Sequence, residues 1–283
     1  MRNFPKNSDE YVVQAFGEEW SRFDQAALSS TERVEIFDAY FSIFPWSALP
    51  VGAVGADIGC GSGRWAALAA PRVGDLHLVD ASAAALDVAR RNLERLGNVR
   101  FHQASVDALP FASSSLDFAY SLGVLHHVPD TQAAIQSVAQ ALKPGAPFLV
   151  YLYYAFDNRS AWFRALWRLS DGMRRAISRL PARPRQFVCD MLALAVYWPL
   201  ARAAKVLDAL RLLPAAWPLA AYRDRSFYVM RTDALDRFGT RLEQRFTRAE
   251  IAAMLNRAGF EDVRFSDGLP YWCAVGIKAA ASA

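Results

Sequence analysis

Short apolar runs alternate with stretches of helical periodicity through the middle of this chain. The apolar runs have strand length and occupy residues 53–58, 76–79, 99–104, 116–121 and 147–154. The helical stretches between them occupy residues 64–70, 82–96 and 130–142. Strands that alternate with helices pair in parallel, with the helices as crossovers. The pattern therefore predicts a doubly wound α/β fold, whose ligands lie at the carboxyl ends of the strands.

The two ends of the chain have different patterns. Residues 9–27 predict a helix with Phe16, Trp20 and Phe23 on one face, where they form either core packing or a lid. A second predicted helix begins at the capping-box spacing Ser29 to Glu32. Near the other end, a capping box at 247–250 begins a helix that ends at Arg257, and two strands, 261–266 and 271–279, follow as a hairpin.

Residues 158–225 interrupt this pattern with a basic, helical segment. They contain twelve Arg and one Lys against four Asp, a net charge of +9 in a chain of +4. Its first helix is amphipathic, with Trp162 and Leu169 on the apolar side, and its second, 186–213, should bend or break at Pro199. Three interpretations are open: a cap over an acceptor pocket, peripheral contact with an anionic membrane, or a homodimer interface.

Composition narrows the class of protein. With 53% hydrophobic and 21% charged residues among 283, the chain is globular and not disordered. Three scattered cysteines and an N-terminus without a secretory signal favour a cytoplasmic setting. The longest apolar run that we identify, 191–201, has 11 residues against the roughly 20 needed to span a bilayer, so we expect no integral membrane insertion.

The candidate chemistry centres on the loop that follows the first strand, where Gly59, Cys60, Gly61 and Gly63 lead into a helix. Alternating glycines let a backbone turn sharply and approach a ligand. This spacing also fits the dinucleotide fingerprint, so an NAD-dependent oxidoreductase is an alternative. Asp57 favours another ligand, because an acid two residues before the first glycine repels a pyrophosphate and suits an ammonium or sulfonium.

Two further acids follow the next two strands. Asp80 ends the second strand, where a carboxylate accepts hydrogen bonds from ribose hydroxyls. Asp107 follows the third strand, where it can accept an adenine amino hydrogen while the Ala108 N–H donates to the ring. Three acids above one glycine loop predict a pocket for a cationic, phosphate-free adenosine compound.

These motifs resemble those of the class I S-adenosylmethionine (SAM) dependent methyltransferases, in the branch that includes quinone-biosynthesis and small-molecule enzymes. The resemblance covers residues 50–154 and the helix and strand around 246–263, and its motifs are ADIGCGSG, HLVDAS, ASVDALPF, SLDFAYSLGVLHHVPD and LKPGAPFLVY. It implies a Rossmann-like, mostly parallel seven-stranded sheet with a C-terminal antiparallel hairpin. It also implies that SAM is the cofactor, S-adenosylhomocysteine the product, and the binding residues Tyr11, Asp57, Gly59, Cys60, Gly61, Gly63, Asp80, Ala81, Asp107, Ala108 and Leu122.

The sequence pattern and the resemblance together predict a domain order of N-terminal helical lid (1–46), SAM-binding core (47–157), basic helical insertion (158–225) and C-terminal part of the core (226–283), although the insertion lies outside the part that the resemblance covers. Within it, Tyr11 is expected near the sulfonium, and backbone at Leu122 at the methionine amino group.

The acceptor and the catalytic residues are less constrained. His126 and His127 follow the fourth strand and are candidates for a general base, the alternative being that they only hydrogen-bond the local backbone. With Asp130 they make a poor metal cage, so we predict no metal. The apolar cap predicts a small, largely hydrophobic acceptor, and the methylated atom is carbon, oxygen or nitrogen. A nucleic-acid methyltransferase fits the basic charge, but the chain has no Asn-Pro-Pro-Tyr-type tetrapeptide, so no nucleic acid partner is expected.

Overall fold

The computed structural model describes residues 7–25, 27–157, 160–214 and 217–280. They fall into two compact units. The first, the sheet unit, contains the described residues up to Gln25, Arg33–Ala155 and those from Leu242 onward. The second, the helical unit, contains the described residues between 27 and 32 and those between Phe156 and Arg241.

The sheet unit is built on a seven-stranded sheet in the order β3-β2-β1-β4-β5-β7-β6. The strands are β1 Val54–Ile58, β2 Asp75–Asp80, β3 Val99–Gln103, β4 Phe118–Leu122, β5 Pro147–Tyr151, β6 Phe260–Phe265 and β7 Cys273–Lys278. The first five are parallel, and β7 runs antiparallel to both β5 and β6. The predicted fold class and its C-terminal hairpin are confirmed.

Ten helices are described. They are α1 Glu10–Arg22, α2 Ser30–Phe41, α3 Ala66–Ala69, α4 Ala83–Asn92, α5 Thr131–Ala141, α6 Ala161–Ile177, α7 Ala182–Leu192, α8 Trp198–Ala209, α9 Phe227–Gly239 and α10 Arg248–Arg257. Two buried clusters of apolar side chains pack in the sheet unit, around Phe148 and around Phe118.

Strand order explains where a ligand binds. Strand β1 lies between β2 and β4, and the chain leaves this pair toward opposite edges of the sheet. A crevice opens outside the carboxyl ends of strands at such a switch point. In register, Asp57 of β1 is opposite Tyr120 of β4 and Leu78 of β2, so the last residues of β1 lie at this crevice.

The two predicted capping boxes have different outcomes. At α10, Glu250 N–H donates to Thr247 Oγ1 at 3.2 Å and Thr247 N–H donates to Glu250 Oε2 at 2.7 Å, which completes the box. At α2, Glu32 N–H donates to Ser29 Oγ, but the Glu32 carboxylate accepts from Ser226 N–H at 2.9 Å instead of returning to Ser29. A tertiary contact has replaced the local one.

The helical unit differs from its predicted outline in two respects. Pro199 does not break the helix: a π-turn at Ala193–Tyr197 lets α7 continue into α8, because the wider turn accommodates the proline ring and its missing N–H. The helical unit also ends at Arg241, because α9, which the sequence pattern missed, packs against α6 and α7. The bounds 158–225 of the predicted insertion rest on charge and helical pattern, and they stay a prediction.

Candidate cofactor site and active site

The glycine loop follows β1 and has the backbone that its sequence demands. Gly59, Gly61 and Gly63 have φ of +78°, +53° and +73°, a region that other residues rarely adopt. A Cβ on Gly59 would lie 2.4 Å from Val124, and one on Gly61 would lie 2.7 Å from the Trp20 ring. The loop therefore accepts no side chain at these positions, and Cys60 within it is buried and free.

Asp57 ends β1 beneath this loop and is almost completely buried. Its Oδ2 atom has no hydrogen-bond partner. Burial raises the pKa of its carboxyl to about 8, and nearby Asp80 adds to the rise, whereas the Tyr120 hydroxyl and Arg64 lower it. A buried carboxyl without a full set of donors is costly, unless a ligand supplies the missing donor or positive charge.

Asp80 holds the glycine loop against the end of β2. Its Oδ2 accepts from Gly61 N–H at 2.9 Å, and its Oδ1 accepts from Ser82 N–H at 2.8 Å. Burial raises the pKa of Asp80, and the two backbone hydrogen bonds oppose that rise. Each carboxylate oxygen keeps a second lone pair, so both can also accept from a ligand hydroxyl.

Asp107 lies after β3, on the next strand end along the same edge of the sheet, and is exposed. Its Oδ2 accepts from Asn7 N–H at 3.2 Å. Asn7 also joins Asp130: its Nδ2 donates to the Asp130 carbonyl, and its Oδ1 accepts from Asp130 N–H, each at 2.7 Å. The predicted donor Ala108 N–H is already used, because it donates to the Ser105 carbonyl at 3.0 Å.

The remaining predicted cofactor residues differ in their exposure to solvent. Leu122 ends β4 and is buried, next to Gly123, whose φ is +78°. Ala81 directly follows Asp80 and is partly buried. Tyr11 on α1 is 65% exposed, whereas the Phe16 ring of the same helix lies 5.0 Å from the ring of the candidate residue His127.

The two candidate histidines are buried in a 3₁₀ turn after β4. His127 Nδ1 lies 2.6 Å from the Leu242 carbonyl oxygen. Because a carbonyl only accepts, Nδ1 carries the proton, and Nε2 of the neutral ring keeps its lone pair. His126 stacks on Tyr153 with ring centroids 3.9 Å apart, and neither of its ring nitrogens has a hydrogen-bond partner. Burial, with His127 and Arg245 nearby, lowers the pKa of His126 well below its usual value.

The segment 242–246 supports these histidines, and sequence reasoning missed it. Gln244 N–H donates to the His126 carbonyl at 3.0 Å. Arg245 lies over the Tyr153 ring at 5.0 Å and pairs with Glu243 at 2.8 Å in a nearly buried ion pair. The only signal in the sequence was the juxtaposed charges of Glu243 and Arg245 before the α10 capping box.

Arg64 is a second residue that sequence reasoning missed. It follows the glycine loop, with its guanidinium 5.2 Å from the Trp20 ring and 4.4 Å from the Trp65 ring. The same cation lowers the pKa of Asp57. Helix α1, which carries Trp20, also brings Gly17 against Ser82. The helix therefore lies across the carboxyl edge of β1 and β2, as a lid would.

The sheet order, the glycine loop and the three acids define a class of protein. Residues 56–145 match the family model described as a methyltransferase domain. This segment is about a third of the chain, and it is similar to a methyltransferase domain.

Individual proteins are similar to parts of it. An uncharacterized methyltransferase of Bacillus subtilis, YcgJ, is 36% identical over 104 residues, which are 36% of this chain and 41% of that protein. The ubiquinone biosynthesis O-methyltransferase of Pectobacterium atrosepticum is 35% identical over 114 residues, 39% of this chain and 46% of that protein.

Solved structures share the fold at low sequence identity. A methyltransferase solved in complex with the Trm112 methyltransferase activator of Haloferax volcanii is 15% identical, with a TM-score of 0.54, over 96% of this chain and 99% of that one. An O-methyltransferase family protein from Burkholderia thailandensis is 15% identical, with a TM-score of 0.53, over 95% of this chain and 60% of that one.

The chain spans less than half of the length of the two curated relatives. Other relatives that match carry the names of a tRNA methyltransferase and a phosphoethanolamine methyltransferase. A segment shared by enzymes of such different acceptors does not determine the acceptor.

Proposed function

We propose that this protein transfers the methyl group of SAM by direct displacement to a small, largely hydrophobic acceptor. The observation that carries the proposal is the buried Asp57 carboxyl with an unpartnered oxygen beneath a glycine loop. A ligand with an ammonium and a sulfonium supplies the donor and the positive charge that this carboxyl lacks. A dinucleotide has no ammonium or sulfonium and would bring a pyrophosphate to two acids.

The residues around the loop fit SAM in detail. Gly59 and Gly61 have positive φ and pack directly against Val124 and Trp20, which keeps the turn after β1 tight. Asp80 has lone pairs for the two ribose hydroxyls, and Asp107 for the adenine amino group. Arg64, fixed between two tryptophan rings next to Asp57, is available to a carboxylate. Bound SAM supplies an already activated methyl group, so the protein has to align the acceptor and exclude water.

His127 is the better placed of the two histidines to act as a general base. The Leu242 carbonyl fixes its proton on Nδ1, so Nε2 can accept the proton of an acceptor hydroxyl as the acceptor oxygen bonds to the methyl carbon. The Nδ1–H···O hydrogen bond then steadies the imidazolium. His126 has a pKa held well below its usual value, and we assign it the packing of His127 and Tyr153.

Aromatic side chains support a hydrophobic, ring-containing acceptor. Tyr151 at the end of β5 is partly exposed, and its ring lies 5.1 Å from that of Tyr40 and 5.9 Å from that of Tyr153. Such faces attract flat apolar rings. The likeness to an enzyme named as a ubiquinone biosynthesis O-methyltransferase favours oxygen as the methylated atom.

The test is incubation of the purified protein with methyl-labelled SAM and a cell extract, followed by mass spectrometry. We expect labelled S-adenosylmethionine to be consumed and one apolar product to gain the label. His127→Asn should lower kcat at least tenfold with SAM affinity unchanged, whereas Asp80→Asn should abolish SAM binding. Tighter binding of NADH than of SAM by calorimetry would refute the assignment.

A further inference from the structure

Helix α6 of the helical unit presents three different faces. Its apolar stripe, Trp162, Leu166, Leu169 and Met173, is exposed, with Leu169 at 69%. The packed face holds Phe163, Trp167, Asp171, Arg174 and Ile177. The third face is basic and carries Arg164, Arg168, Arg175 and Arg179. At 3.6 residues per turn, the packed and basic faces centre roughly 110° and 140° from the apolar stripe, on either side of it.

Buried polar contacts fix this orientation. Arg174 Nε pairs with Asp171 at 2.7 Å, and both side chains are about nine-tenths buried. Arg174 Nη1 also donates to the carbonyls of Thr240 and Arg241 at 2.9 and 3.1 Å. Rotating the apolar stripe inward would take this guanidinium away from the carbonyls of Thr240 and Arg241, and a buried acceptor that loses its donor is costly. The stripe therefore stays at the surface.

The continuous helix formed by α7 and α8 presents a second apolar surface. Phe187, Met191 and Leu194 lie on one side at helical spacing and are between 41% and 64% exposed. Its small residues Ala193 and Ala201 are buried instead.

Length and composition alone would let the helix Ala182–Ala209 cross a membrane, and only 28% of its most apolar 18-residue stretch is buried. However, two of its charged residues form hydrogen bonds with the rest of the helical unit. Asp190 accepts two hydrogen bonds from Arg231 of α9, at 3.0 and 3.1 Å. Arg202 donates to the carbonyls of Arg223 and Arg225. A helix held in this way can lie on a bilayer, but it would have to leave α9 to span one.

Exposed apolar side chains and positive charge coincide in this part of the chain. Twelve of the sixteen most exposed large hydrophobic residues in the described ranges lie between Trp162 and Leu212. The same segment, 158–225, has a net charge of +9. Amphipathic helices with aromatic and aliphatic side chains beside arginines insert at the boundary between headgroups and acyl chains, and anionic lipids strengthen the binding. Two copies of such a surface would repel each other.

We propose that the helical unit binds the surface of membranes that contain anionic lipids. Helix α6 lies in the plane of the interface, with Trp162, Leu166, Leu169 and Met173 at the acyl boundary. The guanidinium groups of Arg168 and Arg179 extend to lipid phosphates, which their long stems allow. The binding needs no methyl transfer, so it stands or falls separately from the proposed reaction.

The experiment is flotation of the full chain with vesicles of phosphatidylcholine alone or with 30% phosphatidylglycerol. We expect the protein to float with the anionic vesicles and at least tenfold less with the neutral ones. Leu166→Glu/Leu169→Glu should lower the bound fraction at least tenfold, and Arg168→Gln/Arg179→Gln should lower it severalfold at low salt. The control is Val51→Glu, a fully exposed apolar residue of the sheet unit, which should float like the unmodified protein.

Circular dichroism and thermal unfolding check that each variant is folded. We expect all of them to fold, because every substituted side chain is exposed. Equal flotation of the Leu166→Glu/Leu169→Glu variant and the unmodified protein would overturn the proposal. The proposal would also be overturned if the unmodified protein bound no vesicles and sedimented as a dimer that the Leu166→Glu/Leu169→Glu variant did not form. A second copy of the chain would then cover the apolar stripe. Resistance of the bound protein to alkaline carbonate extraction would show a span instead of surface contact.

Discussion

The protonation state of Asp57 gives the sharpest test of the cofactor site. Burial raises the pKa of this carboxyl from 3.8 to about 8. The folded protein therefore holds a proton that the unfolded chain gives up above pH 3.8, so this group makes stability fall as the pH rises from about 4 to 8. We expect Asp57→Asn, which has the shape of the protonated form and no charge, to remove that fall.

The magnitude follows from the size of the shift. Each pKa unit corresponds to about 1.4 kcal/mol, so a shift of about four units limits the effect to about 6 kcal/mol at pH 8. Water that enters a cofactor pocket relieves part of this cost, and we expect Asp57→Asn to stabilise the ligand-free protein by about 1 to 3 kcal/mol at pH 8. For a unit of this size, that corresponds to a rise in Tm of roughly 2 to 4 °C per kcal/mol.

SAM binding should show the opposite effect of the same substitution. A cation next to Asp57 favours the carboxylate, so the unmodified protein must release close to one proton on binding SAM at pH 7. Its affinity should therefore rise up to tenfold per pH unit between pH 6 and 8, and Asp57→Asn should bind weakly with a flatter profile.

Calorimetric titrations in buffers of different ionisation enthalpy measure the released proton, and thermal unfolding from pH 5 to 9 measures the stability. Asp75→Asn, an acid at the opposite end of β2 that pairs with Arg100 at the surface, is the matched control and should change neither profile. If Asp57→Asn retained the pH dependence of both Tm and SAM affinity, the role of this carboxyl would be refuted.

Two further substitutions test the glycine loop and the helical unit. Gly61→Ala forces a Cβ against Trp20 at a φ of +53° and should destabilise by about 1 to 3 kcal/mol while weakening SAM binding in calorimetry, whereas Gly97→Ala, with nothing within 4 Å, should leave both unchanged. Arg174→Ala removes a buried partner and should cost about 3 to 5 kcal/mol in denaturant unfolding, whereas Arg175→Ala, 66% exposed on the same carboxylate, should cost less than about 1 kcal/mol. Similar losses within either pair would contradict the reasoning.

Residues at strand ends could be predicted from the sequence because their placement follows from the order of strands. Asp57 lies near the end of a predicted strand, Asp80 and Asp107 follow the next two, and parallel strands bring their carboxyl ends to one edge of the sheet. The partners of those residues could not be predicted in the same way. Asn7 reaches Asp107 from 100 residues away, and Leu242 reaches His127 from 115 residues away. No local pattern encodes contacts of this kind.

Helix α6 shows a different limit of sequence patterns. Periodicity groups Trp162, Leu166, Leu169 and Met173 with Ile177 and Leu180 on one side, and the usual inference is that an apolar face is the packed face. The first four are exposed, whereas Ile177 is buried. The packed face is instead the one that contains Asp171 and Arg174. The buried guanidinium of this ion pair also needs carbonyl acceptors within hydrogen-bond distance, here those of Thr240 and Arg241. These residues lie outside the helix, so a helical wheel does not show them. Hydrophobic periodicity predicts which residues share a face, while the buried polar groups decide which face meets the protein and which remains for a membrane.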